Sequence, residues 1–204
     1  MDEARPGTSD REPSRDGASR YPKGVARRQE ILDRTIEVFA TKGSERTSLR
    51  AIADAIGVSH AALLHYFASR EELLVEVLRE DERVRGSATD DESEIVSIMI
   101  HAAERNVSIP GLVALYSAML AGSLEPDKTV SRDYFAPRFT RIRRMLVERI
   151  ADGQRAGTVR ADVDPEAMAA LVIAASDGLQ IQWLLEPEVD IARSLALLNR
   201  ILEP

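Results

Sequence analysis

The residues with the most to say about chemistry form the run LRAIADAIGVSHAALLHYF, residues 49–67. Its small and apolar side chains recur at the spacing that two short helices need when they cross at a steep angle. Ala53 is small where the helices touch, Gly57 supplies a left-handed turn, and Ile52, Ile56, Val58 and Leu63 fill the wedge between them. Ser59, His60, Ala61, Ala62, Leu64 and His65 are then left facing outward. A helix presenting only small and polar side chains fits a DNA major groove, where its first turns reach base edges. An ordinary helical hairpin carries the same alternation, so spacing alone leaves both readings open.

Other candidate chemistry is sparse. With no cysteine, disulfides, thiolate nucleophiles and cysteine-based metal sites are excluded. His60 and His65 are five apart rather than at the i, i+4 spacing of a helical ligand pair, and His101 lies in another segment, so neither a metal nor a cofactor is expected. No nucleophile triad, phosphate-cradling glycine loop or supported carboxylate pair is present, which argues against an enzyme. Met99, Tyr116, Met119, Tyr134, Phe135 and Trp183 are adaptable or aromatic side chains that suit an apolar ligand pocket, and core packing explains them equally well. His101 interrupts the apolar run 95–102 and is either an ordinary histidine or an effector contact. Asp177 and Gln180 stand on an otherwise apolar helix and could fix a polar ligand group or pair across a dimer seam.

The elements that must position these groups are all helical. Ala, Leu, Arg and Glu dominate, aromatic residues are 4% of the chain, and alternating strand-type runs are missing. Periodicity places helices over 25–41, from Thr47 or Ser48 to Ile56, from a Ser59 cap to Phe67, and from a Ser69 cap to about Val84. Residues 86–93 read as a loop, and further helices follow over 94–105, 110–123, 130–155, 165–185 and 189–202. Along the helix at 130–155, Arg138, Arg141, Arg143 and Arg144 read as a solvated face. Met168, Leu171, Val172, Ala175 and Leu179, with Ile191, Leu195, Leu198 and Leu202, form stripes on the last two helices that suit a four-helix dimer seam.

Charge divides the 204 residues in three. Residues 1–22 have 4 Arg and 5 acids, residues 23–70 have 8 Lys+Arg and 5 acids, and residues 71–204 have 15 Lys+Arg and 24 acids, or −1, +3 and −9. The first part, with almost nothing to bury, is expected to be a disordered tail, the second a DNA-binding head and the third an acidic body held off the duplex. No secretory h-region or stretch of roughly 18 apolar residues is seen, so a cytoplasmic address is expected.

The run ARRQEILDRTIEVFATKGSERTSLRAIADAIGVSHAALLHYFASREELL, residues 26–74, resembles the N-terminal domain of tetracycline-repressor-like (TetR family) regulators. The G-V-S turn and the Y-F-x-S-[KR]-E-x-L junction carry the likeness. The run from Thr158 to Leu202 is similar to the C-terminal helices of one branch of the family, in its D-P-E start, its D-G-L and its closing apolar helix. The resemblance implies a homodimer with heads in successive major grooves of a palindromic operator, dimerised through its last two helices and released by a small, largely apolar effector. A DNA-binding regulator without an effector is the alternative. Thr47, Ser48 and Tyr66 are expected on phosphates and His60, Ala61, Ala62 and His65 toward bases. Leu64 stands where the family usually has a phosphate-binding tyrosine, and is expected to meet a thymine methyl instead.

Overall fold

The computed structural model describes residues 20–42, 48–85 and 96–204, and every regular element among them is an α-helix. In chain order these are α1 (Arg20–Lys42), α2 (Leu49–Ile56), α3 (His60–Tyr66), α4 (Arg70–Arg85), α5 (Ser97–Val107), α6 (Pro110–Gly122), α7 (Thr129–Ala156), α8 (Pro165–Leu185) and α9 (Ile191–Leu202). Thr47, Gly43 and the expected loop at 86–93 lie outside the described residues, as does the expected tail except at its end. There α1 begins at Arg20, and Pro22 falls in the first helical turn, where its missing N–H has no intrahelical partner to lose.

Local chemistry sets the helix ends. Ser48 accepts the Ala51 N–H, Ser59 the Ala62 N–H, Asp164 the Ala167 N–H and Asp190 the Arg193 N–H, each satisfying a donor the first turn leaves free. The Asp190 cap starts α9 at Ile191 rather than at 189. At the far end of α7 the Thr158 and Val159 N–H groups both turn back to the Gly153 carbonyl. A Cβ at Gly153 would sit 2.5 Å from Val159 Cγ2, so this crossing needs glycine.

Two hydrophobic cores result. The first joins Ile31, Leu32 and Phe39 of α1, Ile52 and Ala53 of α2, Leu63 of α3, Phe67, and Leu73, Leu74 and Val77 of α4. It continues without a break past residue 70 into Leu112, Leu115 and Met119 of α6 and Tyr134 and Phe135 of α7. Two polar contacts reinforce the junction. Arg28 lies over the Phe67 ring at 5.2 Å and pairs with Glu76, and the Glu71 carboxylate accepts both the N–H (2.8 Å) and the hydroxyl (2.6 Å) of Ser131 in the first turn of α7.

The second core packs Ala103 of α5, Leu146 and Ile150 of α7, Met168, Val172 and Ile173 of α8, and Ile191, Leu195, Leu198 and Leu202 of α9. This corrects the stripe read as a dimer seam. Met168, Val172, Ile191, Leu195, Leu198 and Leu202 are buried within the chain itself, Ala175 and Leu179 are partly buried against them, and of that set Leu171 alone is exposed. The reason is that α8 is apolar on two faces. Its outer face carries Ala167, Ala170, Leu171, Ala174, Ile181 and Leu185, and Leu197 and Ile201 extend it on α9. That second face also makes α8 long and apolar enough to pass for a membrane span by length and composition, a test that core helices of soluble proteins pass as well.

Candidate DNA-binding face and ligand cavity

In the head, α2 and α3 cross over a closed core. Gly57 holds φ 72°, and both its N–H and that of Val58 reach the Ala53 carbonyl, which ends α2 and swings the chain into α3. Ile52, Ala53 and Leu63 are fully buried at the crossing, while Ile56 and Val58 are partly buried against it. The outer side of α3 is what this leaves over. Ser59, His60, Ala61, Ala62, Leu64 and His65 are exposed, Leu64 at 42%, and Ser48 is exposed at the start of α2. Tyr66 is half-buried, its ring edge-on to His65 at 5.5 Å and tilted against Phe67. The face is therefore small, uncharged and shallow apart from the two imidazoles and Leu64. Its two cap hydroxyls, Ser48 and Ser59, accept from the backbone and still have a donor proton to direct outward.

In the body, α4, α5, α6, α7 and α8 surround a cavity of about 250 Å3. Met99, Tyr116, Tyr134, Asp177 and Gln180 line it as the sequence suggests. The other four candidates do not. Met119 and Phe135 are buried in the first core, Trp183 packs against the second, and His101 is exposed on α5, because a helix turns such side chains a full quarter or more away from neighbours that do face the cavity.

Sequence reasoning missed the polar heart of this cavity. Arg138, read as part of a solvated face, instead turns inward. Its Nε donates to Glu82 of α4 at 2.5 Å, its Nη1 donates to the Tyr116 hydroxyl at 3.1 Å, and its guanidinium lies 5.1 Å from the centre of that ring. Arg141 donates to Glu82 at 3.2 Å but stays exposed, as do Arg143 and Arg144, so three of the four arginines lie on the solvated face as expected. Tyr116 donates to Asp177 at 3.2 Å, and Asn106 donates to Gln180 at 2.8 Å. Burial pushes the Asp177 carboxyl above the usual carboxylate range against the pull of Arg138 and the Tyr116 hydrogen bond. Burial also drives the Tyr116 and Tyr134 hydroxyls well up. Arg138 is held firmly charged: burial opposes the charge, and Tyr116, Glu82 and Tyr134 more than offset it.

Comparison with known proteins matches both halves. Residues 31–77 fit the model for bacterial regulatory proteins of the tetR family, and residues 110–204 fit that for the C-terminal part of BetI-type transcriptional repressors. The chain belongs to the TetR family. Such regulators bind DNA, and α2 and α3 form the N-terminal helix-turn-helix of the family fold. Among curated TetR-family relatives, the transcriptional repressor KstR2 of Rhodococcus jostii is 26% identical over 148 residues, 69% of this chain and 71% of its own. Among solved structures, a TetR regulator of Haloarcula marismortui has a TM-score of 0.74 at 20% identity, covering 88% of this chain and all of its own. A regulator of Saccharomonospora viridis, solved in complex with choline, has a TM-score of 0.68 at 22% identity, covering 87% and 95%. At these identities the TetR-family structures establish the shared fold and leave ligand and operator to this chain's own residues.

Proposed function

We propose that this chain is a homodimeric repressor that holds a palindromic operator with α3 in successive major grooves and leaves it when a small, largely apolar effector enters the α4–α8 cavity. One observation carries the effector half of this reading. The cavity wall includes Leu78, Asp81 and Glu82 of α4, the helix that begins directly after the helix-turn-helix. A ligand meeting those residues has a differential grip on two positions of α4, which linkage requires before it can change DNA affinity. The fold neighbour crystallised with choline supports the reading that such a scaffold takes small molecules.

Dimerisation is assigned to the outer face of α8 and α9, with Leu171, Ile181, Leu185, Leu197 and Ile201 exposed among alanines, in place of the inward stripe. Exposed apolar area of this extent on one pair of helices is what a self-complementary interface covers. On DNA, Ser48, Ser59 and Tyr66 take phosphates, with Thr47 assigned the same role from its place in the sequence. His60, Ala61, Ala62 and His65 face bases, and Leu64 meets a thymine methyl. Two α3 helices on one duplex face require half-sites about one turn, roughly 34 Å, apart or a multiple of that.

The test is selection of bound genomic fragments followed by a thermal-shift screen with a parallel operator-release assay. The expected result is an inverted repeat and at least one stabilising compound that releases it. If every stabilising compound leaves operator binding unchanged, the protein is a DNA-binding regulator without an effector. A selected motif lacking inverted symmetry removes the dimeric docking.

A further inference from the structure

The cavity's charges are unevenly satisfied. On the acidic side, Glu82 receives Arg138 and Arg141, Asp177 receives Tyr116, and Asp81, the third lining carboxylate, is engaged as well, so the acids already have partners. On the basic side, Arg105 of α5 lines the cavity, and its Nε–H is buried with no hydrogen-bond partner among the described residues. It is the sole buried side-chain nitrogen or oxygen among them left in that condition. A buried donor on a cation is costly to leave unpaired, and the group that best removes the cost is an anionic acceptor. Besides these polar groups the same cavity is lined by Ile98, Met99, Leu112, Val113, Ile142 and Ile173, enough apolar wall for a hydrocarbon body. At about 250 Å3 the space exceeds the roughly 150 Å3 that accepts benzene, which leaves room for a short aliphatic or arylalkyl body.

We propose that the effector is a monocarboxylate with an apolar body of medium length, its carboxylate accepting the Arg105 Nε–H and its tail lying along α5 and α6. This assignment rests on the effector reading above and adds the headgroup to it. It predicts a ligand order that apolar filling alone would not give, because a carboxylate, an alcohol and an amine of equal chain length bury the same tail.

Isothermal titration of the full-length protein with octanoate, octanol and octylamine tests it, run beside operator release. Octanoate is expected to bind at least about tenfold more tightly than either analogue. Arg105→Met, which keeps an apolar stem and drops the donor, should weaken octanoate by about 10- to 100-fold and change octanol less than about threefold. Arg105→Lys keeps the charge without the Nε donor and should fall between the two, so the assignment stays testable if the methionine variant fails to fold. Equal or tighter binding of octylamine or octanol overturns it, as does absence of octanoate binding at millimolar concentration or an octanoate preference that survives in both variants. The two levels separate cleanly. Operator release by octanol or octylamine in preference to octanoate keeps the effector cavity and removes the carboxylate. Tight, Arg105-dependent octanoate binding with operator affinity unchanged keeps the carboxylate site and removes its role as effector site.

Discussion

The head and the body solve opposite packing problems. Around α2 and α3 the core is closed, the polar contacts within the two helices are their serine caps, and His60, Ala61, Ala62 and Leu64 are left exposed. Around α4 to α8 the interior is open, and charged side chains from three helices meet inside it through Arg138, Glu82, Tyr116 and Asp177. The lesson is that the outer face proposed to read DNA can vary without disturbing the fold. The cavity is built into the fold, so the residues proposed to recognise a ligand also carry stability.

The largest expected effect separates the two interiors. Leu63→Ala, fully buried at the α2–α3 crossing, should cost about 3 kcal/mol in urea unfolding, whereas Met145→Ala on the cavity wall should cost about 1 kcal/mol because the space beside it already exists. Equal losses would break the contrast. Next comes the outer face. Leu171→Glu with Leu197→Glu should yield a monomer by light scattering at micromolar concentration with helicity retained, since both side chains are exposed within the chain. An unchanged dimer would move the interface elsewhere.

Smaller is the cap. Ser59→Ala should cost about 1 kcal/mol by removing the bond to the Ala62 N–H, and it should weaken binding to all DNA sequences alike, whereas Ala61 or His65 changes should alter base preference. The smallest effect is a pH slope. Asp177 has its folded-state pKa raised by burial, so the folded chain binds its proton more tightly than the unfolded chain does. Its contribution to stability is therefore present at low pH and lost as pH rises from the unfolded carboxyl value through the folded one. Asp177→Asn should flatten that part of the stability profile, and an unaltered slope would show that burial does not control this carboxyl.

The head was legible because its constraints are local. Gly57 must turn left-handed, Ala53 must be small, and Ser59 must cap, all within a dozen residues. The body was legible only as helices. Arg138 and Arg144 sit on one helix with the same side chain, and what distinguishes them is Glu82, 56 residues away, which no periodicity within α7 reports. The dimer stripe went astray for a related reason. When a helix has two apolar faces, period 3.6 finds both, and only the position of α9 and α7 decides which is covered. Trp183 and Met119 were ambiguous from the start, because a core and an apolar cavity draw on the same side chains.

One contact has a mechanical consequence. Glu71, at the start of α4, is bonded to the first turn of α7, and Glu82, eleven residues on and roughly 16 Å along the same axis, is bonded to Arg138 farther down that helix. A beam fixed to one girder at two points cannot slide along it or twist without releasing a fastening. The fastenings differ in kind: the first is seated on backbone and hydroxyl of a buried serine, the second on two arginine side chains at the cavity wall. A molecule that displaced the second from the cavity side would leave α4 held to α7 at Glu71 alone, a pivot with the helix-turn-helix on the short arm.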